Sequence, residues 1–154
     1  LIGCQLGGAV KNIYAIAAGI TMGLNLGENA KSALISRSFV EISRLAKVLK
    51  AKSNTLFGLS GLGDLILTCN SLKSRNTTFG NLIASQQQIS IEEHLKSQET
   101  TEGYFTTKAV KKIAEEKKIT MPIMEAIYNI LYNHSPILDE INKLLDRPAT
   151  DEFY

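Results

Sequence analysis

Apolar positions along the chain recur at helical spacing, and no stretch sustains the alternation of a half-buried strand. Leu1 to Leu24 is an apolar run rich in Gly and Ala that predicts a buried helix, with Gly19 and Gly23 spaced for close helix–helix packing. Asn29 predicts the N-cap of a helix over about 30–51. Its apolar positions are Ala30, Ala33, Leu34, Ile42, Leu45, Ala46 and Leu49, with Lys31, Arg37, Glu41, Arg44 and Lys47 mostly opposite. Shorter helices are expected over about 54–59 and about 61–70, and another from Ser74 through Phe79, Leu82 and Ile83. The polar stretch Gln86–Gln88 reads as a turn, and Ser90 as the cap of a short helix holding Glu92 and Glu93. An amphipathic helix follows over about 102–117 with Ala109, Val110 and Ile113 inward. Pro122 suits the start of the helix Ile123 to Tyr132, and Ser135-Pro136 opens a last helix that Pro148 ends. Asn-Gly and Asp-Gly hairpin signals are absent from the sequence. The expectation is an all-α fold, a single multi-helix domain over residues 1–154.

Composition narrows the class. Apolar residues make up 44% and charged residues 21% of 154, ordinary for a globular domain with a real core. A net charge of +2 without a block of like charge gives no reason to expect a nucleic-acid partner. The apolar part after Asn12 is too short for comfortable membrane insertion. Cys4 and Cys69 lie far apart with no CxxC pair, which reads as reduced, buried thiols in a cytoplasmic protein. His94 and His134 each stand alone, so no metal site is expected. A start at Leu1, inside an apolar run without a signal-peptide pattern, reads as a piece of a longer protein.

Charge placement then singles out two residues. Lys11 is the sole charge in the first 24 positions, and Asp64 the sole charge between Lys52 and Lys73. Opposite charges on two apolar segments suggest one partly buried site. An amine withdrawn from water serves as a proton-transfer group, and a carboxylate beside it fixes its orientation. The plain alternatives stay open: a lysine that snorkels to solvent and an aspartate that caps a helix.

Ser74-Arg75-Asn76 forms a second candidate. With Ser74 as N-cap, free backbone N–H groups lie beside a guanidinium and an amide, which suits a phosphate. A solvated arginine behind an ordinary cap is the alternative. Gly61-Leu62-Gly63 lacks the third glycine of a dinucleotide fingerprint, and Gly7-Gly8 fails the same test, so both read as close-packing or tight-turn glycines.

Gly7-Gly8-Ala9-Val10-Lys11-Asn12 with Ala15-Ile16-Ala17-Ala18-Gly19 resembles the opening of the C-terminal domain of the NAD(P)-dependent glycerol-3-phosphate dehydrogenases. Gly27-Glu28-Asn29-Ala30-Lys31, the run from Gly61 to Cys69, Ser74-Arg75-Asn76 with Phe79-Gly80, Glu102-Gly103, Thr107-Lys108-Ala109-Val110 and Met121-Pro122-Ile123 continue the likeness in order. It spans nearly the whole chain, weakens after Tyr132, and is closest in form to the bacterial, biosynthetic branch.

The resemblance implies a fold like the C-terminal domain of the 6-phosphogluconate dehydrogenase-like superfamily. It also implies interconversion of sn-glycerol 3-phosphate and dihydroxyacetone phosphate with NAD or NADP, feeding glycerophospholipid synthesis, by a cytoplasmic homodimer without a metal. By that resemblance Lys11 is the proton-transfer residue and Asp64 its catalytic partner at the substrate. Ser74, Arg75 and Asn76 are the substrate-phosphate region, and Arg75 and Glu102 contact the coenzyme. Asn12 and Thr68 are substrate-side donors. The family places a dinucleotide-binding domain before this one; that domain is absent from this sequence, so the 154-residue chain alone is expected to be inactive. Two rivals remain, a non-catalytic helical dimerisation module and the helical domain of a related hydroxyacid or ketoacid reductase.

Overall fold

The structure is a computed structural model that describes residues 2–85, 90–97 and 101–147, and all regular structure among them is helical. In chain order the elements are α1 (Ile2–Gly23), α2 (Glu28–Val48), α3 (Ser53–Phe57), a π-helical turn (Leu59–Gly63), α4 (Asp64–Cys69), α5 (Arg75–Ala84), α6 (Ile91–Lys96), α7 (Glu102–Lys117), α8 (Pro122–Tyr132) and α9 (Ile137–Leu145).

The apolar run at the start of the chain becomes the spine of the core. Val10, Ile13, Tyr14, Ile16, Ala17, Ala18 and Ile20 are buried around most of the circumference of α1, as a helix surrounded by others requires. Against it pack α5, α7, α2, α4 and α8. The approach of α5 is close enough to demand glycine on both sides. A Cβ on Gly19 would land on the Thr77 carbonyl and 2.8 Å from the Asn81 nitrogen, and one on Gly80 would strike the Ile16 carbonyl. This contact fixes the start of α5 relative to Lys11 and Asn12.

Several expectations need correction. The second helix begins at Glu28, with Gly27 as N-cap at φ 92, where glycine is tolerated and other residues are strained; Asn29 is an exposed first-turn residue. Lys31 and Glu41, placed on the polar face by sequence, are buried at 8% and 2% exposure, whereas Ala33 is exposed. Lys31 pairs with Glu28 at 3.1 Å. Glu41 accepts hydrogen bonds from Ile123 N (2.7 Å), Met124 N (3.1 Å) and the Tyr14 hydroxyl (3.0 Å), so it caps α8 from across the core. Ala109 is exposed, because the inward stripe of α7 runs through Gly103, Thr107, Val110 and Ala114 and Ala109 lies roughly 100° around from Val110.

Two of the cap readings hold. Ser90 caps α6 with Glu93 completing a capping box, and Pro122 occupies the first turn of α8. The expected turn at Gln86–Gln88 and the stop at Pro148 fall on residues outside those described. Cys69 is a free, buried thiol, and burial pushes it up to about 12; the Cys4 side chain lies outside the described set. Among the described residues no helix is long and apolar enough to cross a membrane, and no cluster of three acidic, His or Cys side chains suits a metal ion.

Candidate active site

The site assembles where the starts of α4, α5 and α7 meet the Lys11–Asn12 step of α1. The π-helical turn runs directly into α4, so Asp64 becomes the first residue of that helix. There its carboxylate faces α1, and Lys11 Nζ donates to Asp64 Oδ2 at 2.5 Å. The two side chains are 23% and 35% exposed, so the pair is partly withdrawn from water yet open to a ligand. Spanning 53 residues, it is the meeting of lone charges that the sequence suggested.

Next along α1, Asn12 is buried and its Nδ2 donates to Glu102 Oε2 at 3.1 Å. Glu102 is the first residue of α7 and is exposed. Its neighbour Gly103 is pressed between two helices: a Cβ there would lie 2.7 Å from the Asn12 carbonyl oxygen and 2.7 Å from Asn76 Oδ1. The Gly103 amide donates to Asn76 Oδ1 at 2.8 Å, so Asn76 of α5 caps α7 in place of a residue of its own chain segment.

Around α5, the Ser74 hydroxyl accepts from Thr77 N at 3.3 Å, as a Ser N-cap does. Thr77 in turn donates its hydroxyl to the Thr68 carbonyl at 2.8 Å, tying α5 to α4. Arg75 is exposed at the first position of α5 and forms no ion pair with a described residue. A cation at a helix start opposes the helix dipole, so this corner is left positive and suited to an anion. Asp64 and Glu102, by contrast, stand at helix starts where the dipole favours them.

Of the residues singled out by sequence, Lys11 and Asp64 touch directly, and Asn12, Glu102 and Asn76 join through Gly103. Thr68 and Ser74 hold neighbouring backbone, and Arg75 reaches solvent beside them. Sequence reasoning missed Gly103 as the contact point, though a glycine in the first turn of a helix was a signal. It also missed His94 and Thr101. His94 is buried, stacks on Phe79 with ring centroids 4.4 Å apart, and places Nε2 3.0 Å from Thr101 Oγ1. No local pattern links these residues, which three separate segments bring together.

Comparison with known proteins identifies the family. The family model described as the NAD-dependent glycerol-3-phosphate dehydrogenase C-terminus matches residues 1–142. A glycerol-3-phosphate dehydrogenase [NAD(P)+] of Bartonella henselae is 46% identical over 155 residues, covering 100% of this chain and 45% of the relative. One from Bacillus cereus is 46% identical over 153 residues, covering 99% and 44%. The crystal structure of a glycerol-3-phosphate dehydrogenase from Coxiella burnetii superposes with a TM-score of 0.89 at 40% identity, over 96% of this chain and 45% of that one. That of a yeast glycerol-3-phosphate dehydrogenase gives 0.80 at 28% identity, over 91% and 41%. The chain thus spans a little under half the length of the curated relatives it matches.

A helical domain with a lysine–carboxylate pair at converging helix starts, matched throughout to dehydrogenases, places the chain in the class of oxidoreductase C-terminal domains. The chain belongs to the NAD-dependent glycerol-3-phosphate dehydrogenase C-terminal family.

Proposed function

We propose that this chain is the substrate-binding, proton-transferring part of an NAD(P)-dependent glycerol-3-phosphate dehydrogenase that interconverts sn-glycerol 3-phosphate and dihydroxyacetone phosphate. The observation that carries the reading is the Lys11–Asp64 pair, partly buried at the rim of three helix starts.

The donor set suits both ligands. Arg75 at the uncompensated start of α5, with Ser74 and Asn76 beside it, matches a phosphate in charge and in hydrogen-bond geometry. Asn76 gives its oxygen to Gly103 and has its Nδ2 group left for the substrate. Arg75 and Glu102, both exposed at helix starts, are the residues that would meet the coenzyme. When bound, the nicotinamide supplies or accepts the hydride at substrate C2.

The chain's own residues do the rest. In the reducing direction the Lys11 ammonium, aimed by Asp64, donates a proton to the oxygen on C2 and stabilises the charge that develops there. In the oxidising direction the neutral amine accepts the hydroxyl proton. Arg75 and the start of α5 hold the phosphate, and Asn12 and Thr68 stand on the substrate side, which together position C2 for transfer. Most coenzyme contacts fall to a dinucleotide-binding domain in the complete enzyme. A cytoplasmic homodimer and a role in supplying glycerophospholipid synthesis follow from the same reading.

The test is steady-state turnover of glycerol 3-phosphate and dihydroxyacetone phosphate by the complete enzyme, beside a panel of 2-hydroxyacids and ketoacids. Preference for the glycerol phosphate pair by at least about a hundredfold in kcat/KM supports the reading, since loss of a charge-assisted phosphate site costs that much. Equal use of hydroxyacids overturns it.

A further inference from the structure

We infer that His94 is a positioning residue for Glu102, acting through Thr101 and the first turn of α7; this rests on the coenzyme role proposed for Glu102. Thr101 is the N-cap residue of α7, yet its side chain makes no cap hydrogen bond to the helix. A threonine at this position ordinarily turns its hydroxyl to the amides of the first turn. Here the hydroxyl is diverted to His94 Nε2, 3.0 Å away, with both residues buried. The capping task passes to Asn76, whose Oδ1 accepts from the Gly103 amide.

Both anchors originate on one face of α5. Asn76 and Phe79 are three residues apart, hence neighbours on the helix surface. Asn76 holds Gly103 directly, while Phe79 stacks on His94 with planes 22° apart and His94 holds Thr101. The two residues flanking Glu102 are therefore tied to the same helix by separate routes. Glu102 itself is exposed and long, and among the described residues its backbone placement and the 3.1 Å bond from Asn12 restrict its rotamers. Within the same turn Tyr104 is tied to α8, its carbonyl accepting from the Tyr132 hydroxyl at 2.5 Å and its ring stacking on Tyr132, and the inward contacts at Thr107, Val110 and Ala114 lie further on. These contacts seat the helix, while the residues immediately before and after Glu102 are held by the two α5 routes. An imidazole meets both needs of this place, since one ring stacks on Phe79 and also reaches the Thr101 hydroxyl.

The test uses the complete two-domain enzyme and its binding of NADH or NADPH, whichever the wild type takes, read by nicotinamide fluorescence. His94→Phe keeps a ring on Phe79 and removes the hydrogen bond; Thr101→Val removes the hydroxyl at nearly constant volume. Each is expected to weaken coenzyme binding about fivefold, the effect of one hydrogen bond. Neither is expected to weaken it further once Glu102→Ala is present. His94→Gln, which keeps a hydrogen-bonding group able to donate or accept at comparable reach, is expected to restore binding to within about twofold. Weakening of equal size with and without Glu102, or none in a folded variant, overturns the inference. Should His94→Phe fail to fold, the outcome for Thr101→Val decides. If Glu102→Ala alone leaves coenzyme binding unchanged, it is the coenzyme role that fails. Hydrogen exchange at the Gly103 amide then decides whether His94 positions this turn: about tenfold faster exchange in Thr101→Val upholds it, and unchanged exchange overturns it.

Discussion

Lys11 Nζ lies 2.5 Å from Asp64 Oδ2, joining the middle of the central helix to the first residue of α4. Each charge is alone on an apolar segment, so neither has another local partner of opposite sign in sequence. Asp64 is thus the group that aims the amine. Replacing it by Asn keeps shape and removes charge. In the complete enzyme Asp64→Asn is expected to lower kcat about a hundredfold while substrate KM changes by a few-fold at most. A variant with wild-type kcat would show that the pair is structural.

Arg75 carries a separate prediction because it stands against the dipole of α5 without an ion-pair partner among the described residues. Arg75→Ala is expected to raise the KM for glycerol 3-phosphate by about 30-fold, the equivalent of about 2 kcal/mol for a charge-assisted contact. Arg75→Lys should recover part of this, since a point charge replaces a two-pronged donor. Steady-state kinetics at fixed coenzyme would check it, and an unchanged KM would remove Arg75 from the phosphate site.

Glu41 sets a pH dependence of stability. Burial pushes its carboxyl up to about 7, against the pull of the Ile123 and Met124 amides and the Tyr14 hydroxyl. The folded protein therefore holds a proton that the unfolded chain gives up near 4.5. The linked stability is fully present below that value and is lost as pH rises through about 7, by roughly 3 kcal/mol in total. Glu41→Gln keeps an acceptor for the α8 amides and cannot titrate. Urea unfolding between pH 4.5 and 7.5 should show a decline in the native protein that is flattened in Glu41→Gln; parallel curves would contradict the assignment.

The α1–α5 approach predicts a large effect from one methyl group. Gly19→Ala drives a Cβ into the Thr77 carbonyl, where backbone on both sides leaves nothing flexible to give way. A loss of about 3 kcal/mol is expected, the upper end for overpacking, together with lower activity because α5 carries Arg75 and Asn76. Thermal unfolding and kcat/KM measured on the same sample would check both parts. A stable, fully active variant would mean that the helices are not in close contact.

Much of this architecture was legible in the sequence because helix signals are local. Ser74, Ser90 and Pro122 act at helix starts as their chemistry predicts, and α7 has the bounds that its periodicity gave. The failures have separate causes. Glu41 and Lys31 look like solvated positions on a helical wheel; Glu41 is buried with the free amides of α8, which only the fold brings to it, whereas Lys31 is buried although its partner Glu28 is local, three residues earlier on the same helix. Ala109 was misplaced because alanine is compatible with either face and gives periodicity little to act on. For the site, the isolation of Lys11 and Asp64 was visible as charge spacing, while their contact was not. His94, Thr101 and Phe79 carried no shared signal, since a stacked ring and a diverted hydroxyl arise only once three helices are packed.

The central claim is that Lys11 moves the proton. Replacing it by Met keeps the length of the side chain and removes the amine. In the complete enzyme, turnover of glycerol 3-phosphate by Lys11→Met should fall by about a thousandfold or more, with glycerol 3-phosphate binding and melting temperature nearly retained. Turnover close to wild type in that variant would contradict the account.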